Sequence, residues 1–86
     1  MTDFIIFTNG DDTFRVLANN EKEAIKEYYL YQHGSSSYSD NFLKLLDCIP
    51  ESDIMLMVDT FNMFNEQYGF EEIREIVTVG RVVYSE

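Results

Sequence analysis

Two short apolar runs, Phe4-Ile5-Ile6-Phe7 and Phe14-Arg15-Val16-Leu17-Ala18, flank Asn9-Gly10-Asp11-Asp12, a tetrapeptide of turn formers, and predict a β-hairpin at the start of the chain. In the first run Phe4 and Ile6 project to one side and Ile5 and Phe7 to the other. Both faces of that strand therefore need cover, which places it at the centre of a sheet. Asn19-Asn20 then precede a helix, with Asn20 as N-cap, Glu23 three residues on where it can reach back, and Gly34 as the stop. On a 3.6-residue wheel Ala24, Ile25, Tyr28, Tyr31 and Gln32 share one face and Lys22, Glu23, Lys26 and Glu27 the opposite one. Leu30 falls on the polar side, where the pattern does not account for it.

The stretch from His33 to Asp40 reads as a flexible Ser-rich loop. Asp40 is placed to cap a short helix from Asn41 to Cys48, whose apolar positions Phe42, Leu45, Leu46 and Ile49 recur at helical spacing, and Pro50 ends it or begins the next turn. A longer helix is expected from Asp53 to Tyr68, capped by Ser52 and terminated by Gly69. Its stripe is Ile54, Met57, Val58, Phe61, Phe64 and Tyr68. A buried strand over Ile54-Met55-Leu56-Met57-Val58 is the alternative, but the helical period continues through Tyr68. Leu56 and Met63, one heptad apart, lie on the far side between Asp59 and Glu66 and offer a second surface.

After Phe70-Glu71-Glu72 the chain turns β-rich, and Ile73, Ile76, Val77, Val79, Val82, Val83 and Tyr84 read as a strand to the C-terminus. Gly80 marks either a bulge in it or the turn of a second hairpin. The order ββααβ predicts a single α+β domain over residues 1–86, with a three-stranded antiparallel sheet packed against helices.

Composition supports a folded chain, because 45% hydrophobic and 15% aromatic residues are too many for a disordered acidic segment. Seven Phe and six Tyr supply large buried areas for a domain of this size. Aromatic side chains serve interfaces as well as cores, which admits a homodimer. The single Cys48 excludes an internal disulfide framework, and with only His33 beside it no Cys/His zinc cluster can form. The N-terminus lacks the basic and apolar regions of a signal peptide, and no apolar run approaches a membrane span. A cytoplasmic protein is expected.

Charge then narrows the function. Sixteen acidic residues against six basic ones give a net charge of −10, a field that repels nucleic acid and anionic lipid and attracts basic surfaces. Catalytic chemistry finds little support. Cys48 sits among Leu45, Leu46 and Ile49, where a buried neutral thiol is expected. His33 is placed at a helix C-terminus, where capping is the simplest role and a pH switch the sharper one. Asn9, Asp11 and Asp12 lack the spacing of a Ca²⁺ loop and are explained as turn residues. With no Gly-rich phosphate loop and no tuned carboxylate pair, neither an enzyme nor a cofactor or metal site is expected.

In size, acidity, aromatic content and α+β order, without cysteine chemistry, the chain resembles the small phage-encoded inhibitors of bacterial defence, including acidic anti-CRISPR proteins and other DNA mimics. The resemblance implies a non-enzymatic inhibitor, working in the host cytoplasm, that occupies the basic groove of a nucleic-acid-binding protein. The residues expected to carry such binding are Asp59, Glu66, Glu71, Glu72 and Glu75, as phosphate mimics, with Tyr38 and Leu56 as apolar anchors. The alternative is a homodimeric assembly protein paired through Leu30, Leu56 and Met63, whose acidity only keeps it soluble.

Overall fold

A computed structural model describes all residues, 1–86. The hairpin forms as β1 (Thr2–Thr8) and β2 (Thr13–Ala18), with Phe4 opposite Val16 and Ile6 opposite Phe14. The C-terminal segment is not one strand but two. Gly80, at φ 74°, turns the chain in a conformation that disfavours any residue with a Cβ, and separates β3 (Ile73–Thr78) from β4 (Arg81–Ser85). The sheet thus has four antiparallel strands in the order β2-β1-β3-β4. The expected three-stranded sheet gains a strand and the expected order ββααβ becomes ββαααββ, with three helices, while the interior place of β1 stands.

The helices are α1 (Glu21–His33), α2 (Asn41–Cys48) and α3 (Ile54–Tyr68), with a 3₁₀ turn over Ser35–Ser39 where a flexible loop was expected. That turn is fastened by Ser37 Oγ, which donates to the His33 carbonyl at 3.0 Å. Asn20 caps α1 by accepting from the Glu23 N–H at 2.9 Å, and Gly34 closes it at φ 93°. Glu23 does not reach back to Asn20; its carboxylate accepts from the side chain of Asn19. Asp53, not Ser52, caps α3, accepting from the Leu56 N–H at 3.1 Å.

All three helices share one core with the alternate residues Phe4 and Ile6 of β1 and with Ile73 and Ile76 of β3, which share a face three positions apart because the β1–β3 register shifts at Phe7/Thr8. The opposite sheet face, carrying Asp3, Ile5, Phe7, Arg15 and Leu17, has no helix over it. Across it Arg15 Nε donates to Asp3 Oδ1 at 3.0 Å, the only ion pair in the molecule. That bond holds the Asp3 carboxyl below its ordinary range and the Arg15 guanidinium above its own.

The wheel for α1 missed one buried residue and admitted one exposed one. Tyr29 is fully buried, stacked 4.5 Å from Phe42 with its hydroxyl donating to Asp40 at 2.9 Å, whereas Tyr31 is 69% exposed. The cause is α2, which covers a flank of α1 that a two-layer reading leaves open; Leu30, on the polar side of the wheel, is partly buried against the core. For the same reason Leu43 is buried in place of Leu45. Cys48 is exposed, not buried, because it lies at the open cleft between α2 and α3.

Candidate acidic groove

The polar joints of the fold determine where the carboxylates go. Asn62 on α3 behaves like a neighbouring strand: its amide donates to the Ile73 carbonyl at 3.0 Å and accepts the Ile73 N–H at 2.7 Å. Asn9, in the β1–β2 turn, binds Glu72 twice, through its backbone N–H to the Glu72 carbonyl at 3.0 Å and its side-chain oxygen to the Glu72 N–H at 3.1 Å. These two sutures hold α3, β3 and the first turn in fixed register. Between them runs a groove of about 500 Å³, walled by Asp59, Asn62, Met63 and Glu66 of α3, by Asn9 and Glu72, and by Ile73, Tyr84 and Glu86.

Four of the nine lining residues are carboxylates and none is basic. Asp59, Glu66, Glu72 and Glu86 have no salt bridge, since the single one belongs to Asp3. The Tyr84 hydroxyl on the groove wall has its pKa raised, by burial first and then by the charges of Asp59 and Glu86. No three His, Cys, Asp or Glu side chains in the molecule gather as a metal-ligand set. What the arrangement can do is hold cationic side chains against a pre-formed acidic wall.

Of the residues expected to bind a partner, Asp59, Glu66 and Glu72 converge here. Glu71 faces a second cleft with Asp12, Tyr31, Gln32 and Phe70. There its carboxylate accepts from the Thr8 hydroxyl and from the Asp12 N–H at 3.3 Å, so it fastens the hairpin turn. Glu75 is paired with Phe7 and Ser85 on the helix-free sheet face. Tyr38 lies beneath the Lys26 ammonium, 5.1 Å from it, on the α1 side. Leu56 and Met63 are both exposed on α3, whereas Leu30, on α1, is partly buried against the core.

The two groups offered for nucleophilic chemistry stay apart. Cys48 lines a shallow apolar groove between α2 and α3. The His33 ring lies between Tyr29, at 4.0 Å, and Phe70, at 4.1 Å, and its Nε2 meets Asn65 Oδ1. It is a packing and hydrogen-bonding residue, not a cap of the α1 carbonyls; that task falls to the Gly34 N–H, which reaches the Leu30 carbonyl. Asn65, fully buried, also donates to Gln32 Oε1 and to the Glu71 carbonyl, each at 2.7 Å.

Sequence reasoning missed Asn62, Tyr84 and Glu86 as groove residues. Asn62 was within reach, since it stands three residues after Asp59 and four before Glu66 on one helical flank. Glu86 was not, because its place depends on the fourth strand, which the sequence offered only as one of two readings at Gly80.

Comparison of the chain with protein-family models, with curated proteins and with solved structures finds no match.

Proposed function

We propose that this protein is a non-enzymatic binding module that docks its acidic groove onto a basic, nucleic-acid-handling surface of a larger protein and blocks it, as a nucleic-acid mimic. A CRISPR-Cas effector is the kind of partner this reading favours. The observation that carries it is the convergence of Asp59, Glu66, Glu72 and Glu86 on one groove with no cation among its lining residues. A carboxylate set that served solubility alone has no reason to converge beside a chain that leaves so few charges paired. Such a field speeds association with a basic partner and makes it salt-dependent.

The alternative, a homodimer through Leu30, Leu56 and Met63, is less well supported. Leu30 packs toward the core of its own chain, and a twofold axis over Leu56 and Met63 brings Asp59 and Glu66 of two strongly acidic copies together.

The test is affinity capture from a bacterial lysate at low salt, with the parent chain beside a variant carrying Asp59→Asn, Glu66→Gln, Glu72→Gln and Glu86→Gln. Expected is a nucleic-acid-binding protein retained by the parent, released by rising salt or added DNA, and not retained by the variant. Equal retention by both chains would end this reading.

A further inference from the structure

The flank of α3 opposite the acidic groove is apolar. Leu56, Thr60 and Met63 face Leu45, Cys48, Ile49 and Pro50 across a groove of about 320 Å³. Met63 lines both grooves, so the crest of α3 divides an acidic trough on the sheet side from an apolar trough on the α2 side. Leu45, Leu56 and Met63 are 46%, 44% and 61% exposed. Burying such side chains gives roughly 25 cal/mol per Å² of apolar surface, which no element of this chain collects. Methionine adapts to varied partner shapes, and α3, with 15 residues, is long enough to back about four turns of a second helix.

We infer that the crest of α3 receives an amphipathic basic helix of the partner, whose apolar stripe enters the Leu45–Leu56–Met63 groove while lysines or arginines along one edge reach Asp59, Glu66, Glu72 and Glu86. This inference rests on the proposed acidic docking and adds the secondary structure and polarity of what docks. Charge selects the occupant. A second copy brings a net charge of −10 to the same crest, and an uncharged apolar helix leaves the four carboxylates unpaired. Only a helix that is apolar on one edge and cationic on the other answers both troughs. Lys22, whose ammonium donates to the Ile49 carbonyl, sets a cation at the Ile49 end of the apolar trough, and repulsion from it directs the partner's basic edge toward the sheet side.

Cys48, the only thiol, lies in the apolar groove and reports its occupancy through its alkylation rate by a maleimide reagent. Three synthetic helical peptides serve as probes: leucine and lysine in an amphipathic pattern, leucine and glutamate in the same pattern, and lysine and serine with the cationic edge alone. The Leu/Lys peptide should slow labelling of Cys48 at least several-fold at saturation and bind at least tenfold tighter than the Lys/Ser peptide. Leu56→Asp with Met63→Asp should abolish the protection although it makes the chain more acidic, a sign opposite to that of charge attraction alone.

If the Leu/Lys peptide binds without protecting Cys48, or no tighter than Lys/Ser, the helix inference fails while acidic docking stands. If neither cationic peptide binds, both readings fail. Protection by the Leu/Glu peptide, or protection rising with the protein's own concentration, would assign the groove to an acidic helix or a second copy and overturn the inference.

Discussion

Asn65 Oδ1 stands 2.9 Å from His33 Nε2, and the rest of the Asn65 amide fixes the direction of that bond. Both amide hydrogens are taken, by Gln32 Oε1 and the Glu71 carbonyl, so the oxygen is left to accept and His33 Nε2 carries the proton. This buried joint ties the end of α1 to α3 and to the segment that leads into the groove at Glu72.

Replacing Asn65 by Leu should therefore cost more than an ordinary polar-to-apolar change. It leaves Gln32 Oε1 and His33 Nε2 without their partner in a partly buried setting, and the Glu71 carbonyl with Gln32 Nε2 alone, at about 1–3 kcal/mol for each group that finds no water. A loss of at least about 2 kcal/mol in urea unfolding is expected. A stability equal to the parent's would mean that the joint is not closed.

What the sequence made legible follows from how local each signal is. Asn20, Gly34 and Gly69 act within one turn of the residues they cap, so their roles could be read directly. Asp40 was placed correctly, yet its carboxylate accepts from the Tyr29 hydroxyl on α1 instead of capping the helix it precedes. The burial of Tyr29 and Leu43 depends on a three-way helix contact that no single wheel contains. Asn65 sits inside an apolar stripe, where only its tertiary partners make it intelligible. For the groove, Asp59, Glu66 and Glu72 were readable as acidic positions, but their convergence arises from the Asn62 and Asn9 sutures, which carry no charge signal.

Tyr28 offers the reverse of the Asn65 case. Its hydroxyl is buried with no hydrogen-bond partner, so Tyr28→Phe should be neutral or should stabilise the fold, by up to about 1 kcal/mol at neutral pH. Burial first, and then the charges of Asp12 and Glu71, raise its pKa above the ordinary tyrosine value of 10.0. Tyr29 is raised too, by burial and by the Asp40 carboxylate. A raised acid pKa means that the folded chain holds protons the unfolded chain gives up. Stability is thus complete below about pH 10 and falls above it, by at most about 1.4 kcal/mol per pH unit for each such tyrosine. Urea midpoints followed from pH 8 to pH 11 should show this decline, and Tyr28→Phe should make it shallower. An unchanged slope would remove Tyr28 from the account.

Gly10 and Glu71 should prove energetically coupled. A Cβ at position 10 would stand 2.3 Å from Glu71 Oε1, so Gly10→Ala must displace the carboxylate that holds Thr8 and the Asp12 N–H. The expected cost is about 1–2 kcal/mol, from bonds to a charged group in a partly exposed setting. In a Glu71→Ala background there is nothing left to displace, and Gly10→Ala should then cost less than half as much. A double-mutant cycle in urea measures the difference. Additive costs would mean that the turn rejects the methyl group for reasons of its own backbone.

A carboxylate set kept for binding responds to salt differently from one that holds the fold together. Asp59, Glu66 and Glu72 face one groove with no cation to offset them, so their mutual repulsion acts against folding and weakens as salt screens it. Asp59→Asn with Glu66→Gln and Glu72→Gln should raise the unfolding midpoint in about 10 mM salt, where charges interact over roughly 30 Å, and the gain should nearly vanish by about 1 M. The parent should itself be stabilised by the same salt increase. Residues that cost stability while sitting at a proposed docking surface are the usual mark of a site shaped for function. If the triple variant instead loses stability at low salt, these carboxylates hold the fold together, and the argument that they are kept for a basic partner loses its energetic ground.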